Sequence, residues 1–139
     1  MATYTKFDQF VADCANGVHN LGSDTLKIML TNAAPLVTNT VKANLTEIAG
    51  GNGYTAGGAT VTVTSSSQSS GVYSLVGNDV VITASGGSVG PLRYAVLYND
   101  TPTSPADPLI AFWDYGSSVT LASGETLTVD FGSNILTVT

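Results

Sequence analysis

The sequence predicts a mainly β, antiparallel fold of the β-sandwich or jelly-roll kind, preceded by one short N-terminal α-helix. Three observations point there. Runs rich in Val, Ile, Thr, Tyr and Phe recur at fairly even spacing from Leu26 to Thr139, with Gly, Asn, Ser and Pro clusters between them. No strand pattern alternates with long helical patterns, so no βαβ unit or parallel sheet is implied. Two runs in the second half, Leu92–Tyr98 and Leu109–Tyr115, are apolar on both faces, which marks strands at the middle of a sheet. At 139 residues one core is expected. The predicted unit is a single domain over 1–139, in which 1–17 form an arm and helix.

Taken in order, Phe7, Phe10, Val11 and Cys14 recur at helical spacing until Asn16-Gly17 stops the run. Thr5 followed by Asp8 resembles a capping box. The pattern predicts a helix from Lys6 to about Asn16, too short to stand alone, whose Phe7/Phe10/Cys14 face must pack on something. Leu26–Leu30 is a strand with Leu26, Ile28 and Leu30 turned inward. Val41, Leu45 and Ile48 have helical spacing behind Thr40 and predict a short helix. Gly50–Gly58 holds five glycines in nine residues, so it is irregular backbone, and it lacks the Lys and Ser/Thr of a phosphate loop. A strand over Ala59–Thr64 and a serine-rich linker, Ser65–Gly71, follow. Val72–Val76 and Val80–Ala84 are expected to form a hairpin around Gly77-Asn78-Asp79.

The two central runs are joined by Asn99–Pro108, whose three prolines keep it out of a sheet, so they should be antiparallel neighbours. Pairing Tyr98 with Leu109 places Leu97 opposite Ile110, Ala95 opposite Phe112 and Tyr94 opposite Trp113. That register sets Arg93, the one arginine, against Asp114. Val119–Leu121 and Leu127–Phe131 are expected to form a second hairpin around Ser123-Gly124-Glu125, and Ile135–Thr139 a last short strand.

Charge narrows the function. Four Lys and Arg against ten Asp and Glu give a net charge of −6, which argues against a phosphate backbone as partner, so no nucleic acid is expected. No apolar run approaches the ~20 residues of a membrane span, and the N-terminus has no basic region followed by an apolar core. The expectation is synthesis in a cytoplasm, with no membrane partner. Charged residues make up only 10% of the chain, against a usual value of about 25%. Such weakly hydrated surface suits a protein that lives in an assembly.

Little in the sequence announces chemistry. Cys14 is alone, so no intramolecular disulfide is possible and the thiol should sit reduced in a core face. His19 is the only histidine, lies after a helix end and accompanies no Gly-x-Ser-x-Gly nucleophile motif, so a turn or cap role is expected. Asn99, Asp100, Thr101 and Asp107 lack the spacing of a calcium loop and read as turn formers. Scattered acids give no sign of paired glycosidase carboxylates. Tyr94, Tyr98, Trp113 and Tyr115 read as core aromatics with hydroxyls at the rim rather than as a sugar platform. The expectation is a non-enzymatic protein with no cofactor and no metal site.

One resemblance sharpens this. Gly53-Tyr54-Thr55-Ala56-Gly57-Gly58, Arg93-Tyr94-Ala95-Val96-Leu97-Tyr98-Asn99-Asp100-Thr101, Pro108-Leu109-Ile110, Trp113-Asp114-Tyr115-Gly116 and Ser123–Phe131 together resemble the small virion structural proteins of tailed bacteriophages. The resemblance covers most of the chain from Phe7 onward. It implies a sandwich or jelly-roll module that decorates or cements a capsid, with a head-fibre or tail component as the alternative. A carbohydrate-binding module is the alternative of a different class, and would show an exposed aromatic row on one sheet face. The implied partners are the major capsid protein or other virion proteins, the implied location is the virion, and the implied state is a homotrimer. Two segments look free for contact: the arm Met1–Phe10, with Tyr4, Phe7 and Phe10, and the Gly50–Gly58 loop, with Gly53 and Tyr54.

Overall fold

The computed structural model describes residues 2–139; Met1, the first residue of the expected arm, lies outside them. Strands take up 48% of the chain and helical turns 7%. All the paired strands are antiparallel.

The two long apolar runs do lie at the centre. They form β7 (Val89–Asn99) and β8 (Leu109–Leu121), flanked by β1 (Thr3–Lys6), β2 (Leu26–Thr31) and β3 (Ala59–Thr60) in a five-stranded sheet of order β1-β8-β7-β2-β3. β4 (Val63–Ser69), β5 (Val72–Gly77) and β10 (Leu136–Val138) make a second sheet of order β10-β5-β4. β6 (Val80–Thr83) pairs with β9 (Thr126–Val129) in a third.

The five-stranded sheet is buried on both faces, which explains why its central strands carry no polar alternation. On one face Leu26, Ile28, Leu30, Ala95, Leu97 and Trp113 share the larger core with Leu75, Val80, Ile82, Val129 and Leu136 of the other two sheets. On the opposite face Phe7, Met29, Tyr94, Val96, Tyr98, Leu109 and Phe112 form a smaller core, with Leu45 packed against it. Each such side chain removed from water contributes about 1.5–3 kcal/mol.

The pairing of β7 with β8 departs from the expected register by one residue. Tyr98 faces Leu109 as expected, but Leu97 then faces Ala111, Val96 faces Phe112, Ala95 faces Trp113 and Tyr94 faces Asp114. The cause is a bulge at Ile110, which turns both Ile110 and Ala111 toward the larger core. Arg93 still meets Asp114, reaching it from the neighbouring position with Nε donating to Oδ1 at 2.8 Å and Nη2 to Oδ2 at 3.2 Å. A further shift between Val89 and Leu92 accommodates Gly90-Pro91, where proline offers no ladder N–H.

Other expectations need correction. The helix is shorter than its spacing implies: α1 spans Gln9–Ala15, Asp8 makes no side-chain cap, and Thr3–Lys6 is drawn into β1 by pairing with Ala111–Asp114. The Val41–Ile48 helix reduces to a 3-10 turn at Lys42–Asn44, with the Asn44 Oδ1 accepting from the Thr40 and Val41 N–H groups. The serine-rich linker is a strand. Ser65–Ser69 pair with Val72–Val76, joined by Ser70-Gly71, both at positive φ (51° and 82°), the conformation a two-residue hairpin turn requires.

Neither predicted hairpin forms. Val80–Thr83 pairs with Thr126–Val129 instead of with β5, because Val80 and Ile82 turn into the larger core opposite Val129 and Leu127. Ser123-Gly124-Glu125 does turn the chain, but as a corner carrying it from β8 in one sheet to β9 in another.

Candidate functional site

Of the five residues expected to make assembly contacts, three lie inside the molecule. Phe7 is fully buried beside Phe112, with ring centroids 5.2 Å apart, in the smaller core. Phe10 belongs to the larger core and packs on the His19 ring. The two share no face, because Phe7 precedes α1. Of the three aromatics expected in the arm, Tyr4 is exposed, at 42%, and its ring packs edge-on against Trp113. The arm is a paired sheet edge rather than a free segment.

Tyr54 is buried, and its hydroxyl organises the glycine loop. It donates to Glu47 Oε2 and accepts the Leu30 N–H at 3.0 Å. Glu47 also accepts the Gly57 N–H at 2.7 Å and pairs with Lys42 at 3.2 Å. Burial would raise the Glu47 carboxyl, but the bonds from Tyr54, Gly57 and Lys42 outweigh it and hold the group below its ordinary value. Burial, reinforced by Glu47, pushes the Tyr54 hydroxyl well up, so it stays a donor. Tyr98 donates to the Gly57 carbonyl from the other side.

The glycines serve this internal docking rather than contact with another surface. A Cβ on Gly53 would lie 2.2 Å from the Thr83 carbonyl oxygen, and one on Gly58 would lie 2.0 Å from that of Ile28, both at positive φ. Sequence reasoning missed Glu47 as the anchor. A tyrosine inside a glycine run was the available signal, since its ring buries only if its hydroxyl finds a partner.

His19 sits in a second polar cluster. Asn99, itself buried, donates through Nδ2 to His19 Nδ1 at 3.0 Å and to Asp24 Oδ2 at 2.7 Å. With its Nδ1 lone pair so engaged, the imidazole carries its proton on Nε2 and cannot serve there as a base. Burial lowers its basicity, against a smaller opposing pull from Asp13 and Asp24. An open cleft of ≈320 Å³ includes His19, Cys14, Ser66 and Tyr73. Burial, with Asp13 next, raises the Cys14 thiol and keeps it protonated, and Ser66 shares its hydroxyl with Tyr73 at 2.8 Å. The geometry couples neither to the histidine as nucleophile to base.

In the loop after β7, Asp100 pairs with Lys27 at 3.3 Å, and burial followed by the Asp100 charge raises the Asp107 carboxyl. Among the described residues no three His, Cys, Asp or Glu side chains converge as metal ligands. Among the described residues no helix is long and apolar enough to cross a membrane. A cleft of ≈490 Å³ runs beside Trp113, Tyr115, Phe131, Thr128 and Asp130. Trp113 and Phe131 pack on each other at 5.4 Å and are only 6% and 7% exposed, so their ring faces are spent on the core.

Some large apolar side chains are turned outward. Leu36 is 63% exposed, Val81 57%, Val11 55% and Val37 40%, with Val72, Val119 and Val138 less so. The Asp8 N–H donates to the Val37 carbonyl at 2.9 Å, which brings Leu36-Val37 beside the start of α1, one turn from Val11. Comparison with protein families, with curated proteins and with solved structures finds no match for this chain.

Proposed function

We propose that this chain is a non-enzymatic virion structural protein of a tailed bacteriophage, a β-sandwich of jelly-roll type that decorates or cements the head as a symmetric oligomer. The observation that carries the reading is the apolar surface at Val11, Leu36 and Val37, on a chain only 10% charged. Large apolar side chains so exposed are costly to leave in water and gain by being covered in an assembly. Two smaller sheets sharing the larger core with one face of the five-stranded sheet support the sandwich reading. The motifs that resemble phage virion proteins supply the kind of assembly. Repetition over a shell lets weak contacts add.

A head-fibre or tail position is the alternative within this class. The carbohydrate-binding alternative is disfavoured by the burial of Tyr94, Tyr98 and Trp113, which leaves Tyr115, half-buried, without a row of exposed aromatics around it. The test is sedimentation of purified protein with expanded, undecorated shells of its virus. Saturable co-sedimentation that a Leu36→Ser, Val37→Ser double variant loses while its thermal unfolding stays unchanged is the expected result. No binding at saturating protein, with the chain found in tails or fibres, moves the assignment to the alternative.

A further inference from the structure

The outer edge of β4 is a long sheet edge poorly defended against pairing. Proteins blunt such edges with charge, proline or brevity. β1 carries Lys6, β3 and β10 are two and three residues long, β6 has four residues behind Asp79, β9 is flanked by Glu125 and Asp130, and β8 shares with β4 an uncharged stretch, Tyr115–Leu121, beyond its pairing with β1. β4 is seven residues long, Val-Thr-Ser-Ser-Ser-Gln-Ser, with no charge and no proline, and is exposed from Thr64 to Ser69. Among the described residues no strand pairs with it on the side away from β5.

The register says which groups are offered. Ser70-Gly71 is a two-residue turn, so Ser69 and Val72 close the hairpin as a hydrogen-bonded pair. Alternation along an antiparallel ladder then leaves the N–H and C=O of Gln68 and Ser66 pointing away from β5; the bulge between Val63 and Ser65 ends the series at Thr64, whose hydroxyl donates to the Val76 carbonyl of β5 at 3.3 Å.

We infer that β4 pairs antiparallel with the β4 of a second copy of this chain, about a twofold axis at Ser66. In that register Ser66 exchanges both backbone bonds with Ser66 of the second copy, and Gln68 on each side lies opposite the Thr64 bulge. The side chains fit their own reverse: Ser65 lies opposite Ser67, Thr64 opposite Gln68, and no like charges meet. This near-palindrome of hydroxyl and amide groups favours a second copy over a foreign strand, since self-pairing about a twofold closes without further interfaces. The three-stranded sheets of the two copies merge into one of six strands. The dimer takes the place of the trimer that the resemblance implies, and it requires no phage particle.

Sedimentation equilibrium over rising concentration, up to about 1 mM, should take the mass from 14.2 kDa toward twice that value. The Ser66 and Gln68 amides should become slower to exchange with solvent over the same range. Ser66→Pro removes an N–H that bonds to nothing within the chain, so it should keep the far-ultraviolet and Trp113 signals of the fold while weakening association at least tenfold. A chain that stays monomeric, forms a trimer, or still dimerises as a folded Ser66→Pro variant overturns the inference. So does protection of these two amides only on a shell, which would assign the edge to a foreign strand.

Discussion

Replacing Tyr54 by phenylalanine removes one oxygen from the anchor of the glycine loop and leaves the buried ring in place. No cavity term arises, so the loss is that of polar partners. The Leu30 N–H, inside the larger core, is left without an acceptor, which costs about 1–3 kcal/mol for a buried donor. Glu47 loses one donor but keeps Gly57 and Lys42 and retains some contact with water, so its share is the smaller, about 1 kcal/mol. A total of about 2–4 kcal/mol is expected. With a urea slope of about 2 kcal/mol/M, the unfolding midpoint should fall by about 1–2 M. Tyr73→Phe is the control: its hydroxyl meets only Ser66 at the surface, so its change should stay within about 0.5 kcal/mol. Equal midpoints for the two variants would refute the anchoring argument. pH supplies a second reading. Glu47 is held below its ordinary value of 4.5, so its contribution is present above that pH and is lost as pH falls through the folded value. Tyr54→Phe should flatten that acid limb.

His19, lowered from 6.5 by burial, contributes stability above that pH which is lost on acidification, so His19→Gln should remove the first part of the decline below pH 6.5 in a urea titration series. Gly58→Ala, with its Cβ driven against the Ile28 carbonyl, should cost about 3 kcal/mol or more, whereas Gly57→Ala, which meets only the Tyr98 hydroxyl at 3.8 Å, should cost about 1–2 kcal/mol, read by thermal unfolding. Phe7→Ala should cost about 3–5 kcal/mol and Tyr4→Ala much less, and deletion of residues 1–10 should unfold the chain, as circular dichroism would report.

The central pair of strands was legible because residues apolar on both faces have few other places in a small β protein. Arg93 and Asp114 were legible as partners for a related reason, since each needs the other near a sheet interior. The bulge at Ile110 was not: where both faces are apolar, a one-residue slip leaves no mark in the pattern. Ser65–Ser69 hid as a linker because serine has little strand preference of its own, and only pairing with Val72–Val76 through Ser70-Gly71 makes it a strand. The aromatic arm looked like a contact surface because the i, i+3 spacing of Phe7 and Phe10 implies one helical face. A sheet with cores on both sides uses them separately, a three-dimensional fact that spacing along the chain does not encode. Exposure of Leu36 and Val37 was equally silent, since Pro35-Leu36-Val37 reads like any loop that touches a core.

Thr3–Lys6 joins the sheet only through Ala111–Asp114. During synthesis at about 5–20 residues per second, that first strand therefore leaves the ribosome several seconds before its partner exists. Phe7 and Phe10 wait as well, since Phe112, against which Phe7 packs, also comes late. Closing so long a loop is slow and exposes apolar segments while it is pending. The nascent chain should thus draw on holdase chaperones for most of its translation, and a ribosome stalled before residue 111 should carry an N-terminus that proteases cut freely.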